Sequence, residues 1–318
     1  MIWLTWRQHR VEAAIVFGAL ALLAAILIAT GLDMRSAYDH LGIASCLSAT
    51  NHDPTCPDAV EGFREQYGQW VSASAWLNLI PALLGILVGA PLVARELEHG
   101  TQRLVWTQSV TRWRWLAVKL AFVFVGCLAV AGTLWLLLAW WRQPWDTLSG
   151  RFGGAAFDFE GPVLLGFVAF ALALGIASGA VLRRTVPAMV LMLALFLVVR
   201  LPVELQLRPI YQPPLTVTSN VLAGNPVTRA DWMVDQQFID AQGHLLDFRQ
   251  VWSICGGQGV ATKLDFLQCA HDHQFQSWTE YQPASRYWTF QAIETALYAV
   301  LALALLGLSG WWVRRRLS

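Results

Sequence analysis

Charge is what this sequence has least of. Only 14% of its 318 residues are Asp, Glu, Lys or Arg, against roughly 25% in soluble globular domains. Lysine is scarcest: 20 Arg stand beside two Lys, Lys119 and Lys263. That deficit argues against a water-soluble enzyme, and the 56% of hydrophobic residues exclude disorder. A net charge of +1 lacks the basic excess that a nucleic-acid partner needs. No G-x-x-x-x-G-K-[ST] occurs, so the chain has no phosphate-cradling loop of its own; no H-E-x-x-H occurs, so the helical zinc-protease site is missing. None of the seven His falls inside an apolar run. That leaves Ser178, within Gly175–Gly179, without an in-membrane base. No catalytic residue, no metal and no cofactor are expected. Cys269-Ala270-His271-Asp272-His273 reads first as a loop holding a disulfide cysteine rather than as a metal site.

What the sequence has in plenty is apolar length. A membrane-spanning helix needs about 20 mostly apolar residues. Uncharged runs of that kind are Ala13–Leu32, Val71–Ala94, Leu120–Trp141 and Gly161–Leu182. A shorter one, Thr185–Val199, reaches Val203 by admitting Arg200, and the last, Thr295–Val313, starts near Tyr287 if Glu294 sits at the interface. The first run is too long for a cleavable signal and is followed by no small-residue cleavage site.

With the N-terminus inside, the inner segments hold 12 basic residues against Glu12, Glu96 and Glu98. The basic residues hug the span ends, as the positive-inside rule requires. The expected fold is an all-α membrane protein of six transmembrane helices with both termini cytoplasmic in the plasma membrane. Outer loops, including a small extracellular subdomain, complete it. The expected divisions are 1–204 for five spans and an N-terminal interfacial segment, 205–286 for the extracellular subdomain, and 287–318 for the sixth span and its basic tail. Met1–Arg10 suits either a helix lying at the inner interface or a plain extension of span one.

Cysteine fits this layout. Cys46 and Cys56 fall in the first outer loop, Asp33–Trp70, and Cys255 and Cys269 in the last, Glu204–Arg286. Local pairing within each loop is favoured, in a compartment where disulfides persist. Ala59–Tyr67 in the first loop reads as a short surface helix, and Arg142–Glu160 as an irregular loop. Arg200 and Glu294 would be costly in lipid. Each lies about 24–29 Å from the inner end of its span, so they are expected to pair or snorkel at the outer interface as anchors. Gly85–Gly89 and Gly175–Gly179 offer small-xxx-small packing faces, within the chain or between copies. Pro81 and Pro91 can kink span two.

The stretch Ala94–Trp115 carries the most information. Gly100 can end the preceding helix and Thr101 can cap a new short one through Gln108. Ser109 and Thr111 then lead into span three. The product is a short helix held crosswise between two spans.

This stretch resembles the type-2 ATP-binding-cassette transporter permeases. The resemblance rests on Glu96 or Glu98, Gly100-Thr101, Gln102–Gln108, Ser109-Val110-Thr111-Arg112 and Lys119. Gly89–Glu98 and Trp3-Leu4-Thr5-Trp6-Arg7-Gln8 look like actinobacterial members. It implies a permease subunit of an ATP-driven exporter, with Gly100–Gln108 as the coupling helix on a separate ATPase subunit. Glu96, Glu98, Gly100, Thr101, Arg103 and Arg112 are then the candidate ATPase-coupling residues. The implied partners are that ATPase, a second permease copy or a related permease, and membrane lipid. The sparse intramembrane charge suits an amphipathic or hydrophobic cargo. The rival expectation is a membrane-anchored sensor or binding protein with no ATPase partner. The region between spans five and six, about 80 residues, is longer than the family's usual short re-entrant helices.

Overall fold

The computed structural model of the chain describes residues 2–47, 55–99, 112–256 and 262–316. Six of its helices are long and apolar enough to cross a bilayer. They are Ala14–His40, Cys56–Glu98, Leu120–Ser149, Val163–Leu182, Thr185–Ile210 and Ala284–Trp312, called spans one to six below. The chain divides into two compact units: 1–144 with 154–202 and 291–318, and 145–153 with 203–290.

The first unit is helical. Helix α1, Ile2–His40, runs unbroken through span one. The N-terminal residues therefore extend that span rather than forming a separate interfacial helix. A single turn, α2 (Ile43–Cys46), follows, and the Cys46–Cys56 disulfide ties it to α3 (Cys56–Ser74). This corrects the expected polar loop over 33–70. The helices extend into it, and the stretch expected as a surface helix carries the fully buried Phe63. The Tyr67 hydroxyl donates to Asp33 Oδ2 at 2.7 Å, which joins spans one and two. At the far end of span three, Trp140 and Trp141 lie against Gly31, where a Cβ would come within 2.7 Å of the Trp140 ring. The Trp141 indole donates to Thr30 Oγ1 at 3.0 Å.

Span two is a chain of short helical pieces. After α3 comes a 3-10 turn (Ala75–Leu79), then α4 (Ile80–Leu84), a π turn (Gly85–Gly89) and α5 (Ala90–His99). Pro81 and Pro91 lack an N–H to donate, and regular α-helical bonding gives way just before each of them. Span three lies in α6 (Arg112–Ser149), which replaces the first part of the expected 142–160 loop. The short α7 (Gly154–Phe159) precedes span four, α8 (Val163–Leu182). Span four is the centre of the unit: 89% of its most apolar window is buried. Span five begins as α9 (Thr185–Pro202), after Arg183 turns the chain in the left-handed conformation (φ 57°).

The second unit contains the sheet that the helix-dominated sequence pattern did not announce. Strands β1 (Leu215–Asn220), β2 (Trp232–Ile239), β3 (Leu245–Leu246) and β4 (Gln276–Gln282) pair antiparallel in the order β1-β4-β2-β3. Helices α10 (Phe248–Cys255) and α11 (Lys263–Asp272) pack on it. Each begins with a reciprocal capping box, Asp247 with Gln250 and Thr262 with Asp265. Val221, Val251, Cys255, Phe266, Ala270 and Phe275 form the small core beneath them. The Cys255–Cys269 disulfide staples the two helices together. Gly150 (φ 71°) belongs to this unit: a Cβ there would sit 2.7 Å from the Arg229 carbonyl oxygen, so only glycine fits. Span six, within α12 (Tyr287–Arg316), leads back into the helical unit.

Candidate functional site

The helical unit carries its polar side chains at the two ends of span four, about 30 Å apart by helix length. At one end, α5 brings Glu96 and Glu98 to the threshold of residues 100–111. The Glu98 carboxylate does not hang free. Its Oε2 accepts from the Thr185 backbone N–H at 3.0 Å and from the Thr185 hydroxyl at 2.7 Å. It therefore caps the first turn of span five, where unsatisfied N–H groups and the helix dipole favour an anion.

Between the ends, glycine lets backbones meet. A Cβ on Gly175 would stand 2.5 Å from the Gly85 carbonyl oxygen and 2.7 Å from the Ala90 nitrogen. One on Gly179 would stand 2.6 Å from the Ala90 carbonyl oxygen, and one on Gly89 2.9 Å from that of Leu172. The two glycine pairs noted in the sequence thus pack against each other within the chain, joining spans two and four. Span five completes this seam. Its Met192 tip fills the space beside Gly85, and Ala188 is buried with Ala90 and Ala94.

At the other end lies a buried ionic cluster. Arg200 of span five donates from Nη2 to Asp158 Oδ2 at 2.5 Å and from Nη1 to Glu294 Oε1 of span six at 3.3 Å. Its guanidinium also lies 3.9 Å from the Phe167 ring centroid of span four. Beside it, Arg142 of span three donates from Nε to Glu160 Oε1 at 2.6 Å and from Nη1 to Ser74 Oγ of span two at 3.4 Å. Gln291 locks the same region. Its Nε2 donates to the Phe157 carbonyl at 2.6 Å, and its Oε1 accepts from Val163 N–H at 3.2 Å. Three carboxylates and two guanidiniums are thus buried as a triad and a pair. Within the triad and within the pair the guanidinium donates to the carboxylates, which is what buried charge requires.

A family model described as ABC-2 membrane transporter related matches residues 17–208, more than half of the chain. This chain belongs to that ABC-2 family. It is a multi-pass membrane transporter permease, and members of the family are transport subunits that do not themselves catalyse a reaction. No curated protein and no solved structure matches it. The match runs from span one through span five, and residues 209–286 lie beyond it.

Within this ABC-2 permease, Gly100, Thr101 and Arg103 lie outside the described residues, as does the whole of 100–108. Arg112 opens α6. Arg200 and Glu294 meet in one cluster. Sequence reasoning missed their companions Arg142, Asp158 and Glu160, which it left in an irregular outer loop. A signal was available: Glu160 directly precedes an uncharged run, with Asp158 two residues before it, and Arg142 directly follows one. In the second unit, ligand atoms of Cys255, Cys269 and His273 lie within 4.8 Å of one another. Both of those sulfurs are spent in the disulfide.

Proposed function

We propose that this permease is the membrane half of an ATP-driven exporter, working as two copies with two separate ATPase subunits. Residues 100–108 act as the coupling helix that seats on the ATPase, with Glu96, Arg103 and Arg112 beside it as contacts. Both termini and this helix face the cytoplasm. The disulfide-bearing second unit faces outward, in keeping with the basic residues crowded at the opposite span ends. The cargo is amphipathic or hydrophobic and moves outward along a path between the two permease copies. ATP is bound by the partner, since the chain has no phosphate-cradling motif.

One observation carries this reading. The family match covers the stretch in which α5 delivers the chain from the glycine seam into residues 100–108. A push on that segment reaches span two directly, and the backbone contacts at Gly89, Gly175 and Gly179 pass it to span four.

The test is co-purification. The wild-type permease should bring down a nucleotide-binding subunit and stimulate its ATP turnover. Charge reversal at Glu96 and Arg103 together should weaken that complex at least tenfold, read by bio-layer interferometry in nanodiscs. A permease that binds no ATPase, with Glu96 and Arg103 dispensable in cells, would overturn the proposal in favour of the anchored-sensor reading.

A further inference from the structure

We infer that Glu98 is a positioning residue that couples span two to span five. This inference rests on the coupling role proposed for residues 100–108. Glu98 lies two residues before that segment, yet its carboxylate is given to the first turn of span five through both the Thr185 N–H and the Thr185 hydroxyl. An anion at that place satisfies an N–H which the helix leaves open and opposes the positive end of the dipole. Thr185 opens the helix after the tight left-handed turn at Arg183, and the Arg184 carbonyl accepts from the Ala188 N–H at 3.2 Å, so the Glu98 carboxylate meets span five at its first helical residue.

The geometry gives the lever a second output. Motion of the segment after Glu98 drags the foot of span five along with that of span two. The glycine seam and the Ala90–Ala94–Ala188 packing keep spans two, four and five together above it. Span five then carries the stroke about 22 Å along its axis to Arg200. That residue holds Asp158 and Glu294 at the opposite end. The ATPase thus moves a block of three spans, and Glu98 is the tie that brings span five into it.

Two measurements on the full-length permease in nanodiscs test this. In the permease alone, hydrogen exchange of the amides at 185–189 should quicken in Glu98→Ala and in Thr185→Val by about fivefold, the size of a lost helix cap. Thr185→Ser, which keeps the hydroxyl, should exchange like wild type. Unchanged exchange in Glu98→Ala would refute the tie, whether or not any ATPase binds.

With the ATPase bound, both Glu98→Ala and Thr185→Val should lower permease-stimulated ATP turnover about fivefold, with the subunit Kd unchanged. The double variant should lose no more than either single one. A raised Kd in Glu98→Ala alone, with Thr185→Val silent, would instead make Glu98 an ATPase contact and overturn the positioning role. Absence of any ATPase partner would remove the ATP-driven reading, while the exchange measurement still decides the contact.

Discussion

Replacing Arg200 by Met is the sharpest test of the buried cluster. Arg200 is 8% exposed, and its partners Asp158 and Glu294 are 1% and 0% exposed. Methionine fills much of the same volume but removes the cation that Asp158 and Glu294 share. Breaking a buried ion pair by removing one partner costs about 3–5 kcal/mol. That is a shift of roughly a hundredfold to several thousandfold in the folding equilibrium. Reversible denaturation in mixed SDS micelles reads the difference directly.

Arg249→Met, at an exposed position of the second unit, is the control and should fall within about 0.5 kcal/mol of wild type. The triple variant Arg200→Met/Asp158→Asn/Glu294→Gln should recover most of the loss, because the cation and the two carboxylates it holds are removed together. If Arg200→Met is no less stable than Arg249→Met, the cluster does not hold these spans together and the reasoning fails.

The remaining predictions concern packing, crosslinking and protonation. Gly175→Val should abolish assembly of the helical unit, judged by a monodisperse size-exclusion peak. Gly126→Ala, with open space around it, should be neutral or stabilising by up to about 1 kcal/mol. Under non-reducing denaturation, alkylation should modify Cys127 alone, since the other four cysteines are paired. Replacing Cys255 and Cys269 together by Ala, which opens a loop with a sequence separation of 14, should destabilise the second unit by about 3 kcal/mol, followed by limited proteolysis.

Asp240 lies on an exposed turn. The His244 backbone N–H donates to it and holds its carboxyl below the usual carboxylate value. A depressed folded value means that the turn is stabilised at neutral pH and loses that stabilisation as pH falls through the lowered value. The His244 amide should therefore lose protection, measured against its intrinsic exchange rate, as pH falls, and Asp240→Asn should flatten that dependence.

The six spans were legible because lipid imposes a simple demand, long uncharged stretches, which the sequence meets with few exceptions. The paired loop cysteines were legible for a similar reason, since their spacing left few partners. Span ends were less legible. Tyr67 and Phe63 sit in a polar context, and only their burial against span one shows that the helix continues past the apolar run. The ionic cluster was half legible. Arg200 and Glu294 stand out as charges within apolar runs, whereas Asp158 and Glu160 look like ordinary loop acids until Arg142 and Arg200 are brought to them from residues 42 or fewer positions away. The role of Glu98 was hidden because a carboxylate next to a glycine-threonine motif reads as a docking residue. Its contact with Thr185, 87 positions on, depends on tertiary packing that no local pattern encodes. The sheet was missed because its strands are short and polar, with no clean alternation to reveal a buried face.

The pairing of Leu215 with Tyr281 has a consequence for how such permeases diversify. The polypeptide leaves for its long excursion and returns at points one strand spacing apart, roughly 5 Å. The excursion starts and ends at adjacent stems, residues 145–153 pack on it at Arg229 and Ala230, and the family match stops just before it. A lineage can enlarge or exchange the parts of that excursion away from 145–153 while the two stems stay adjacent.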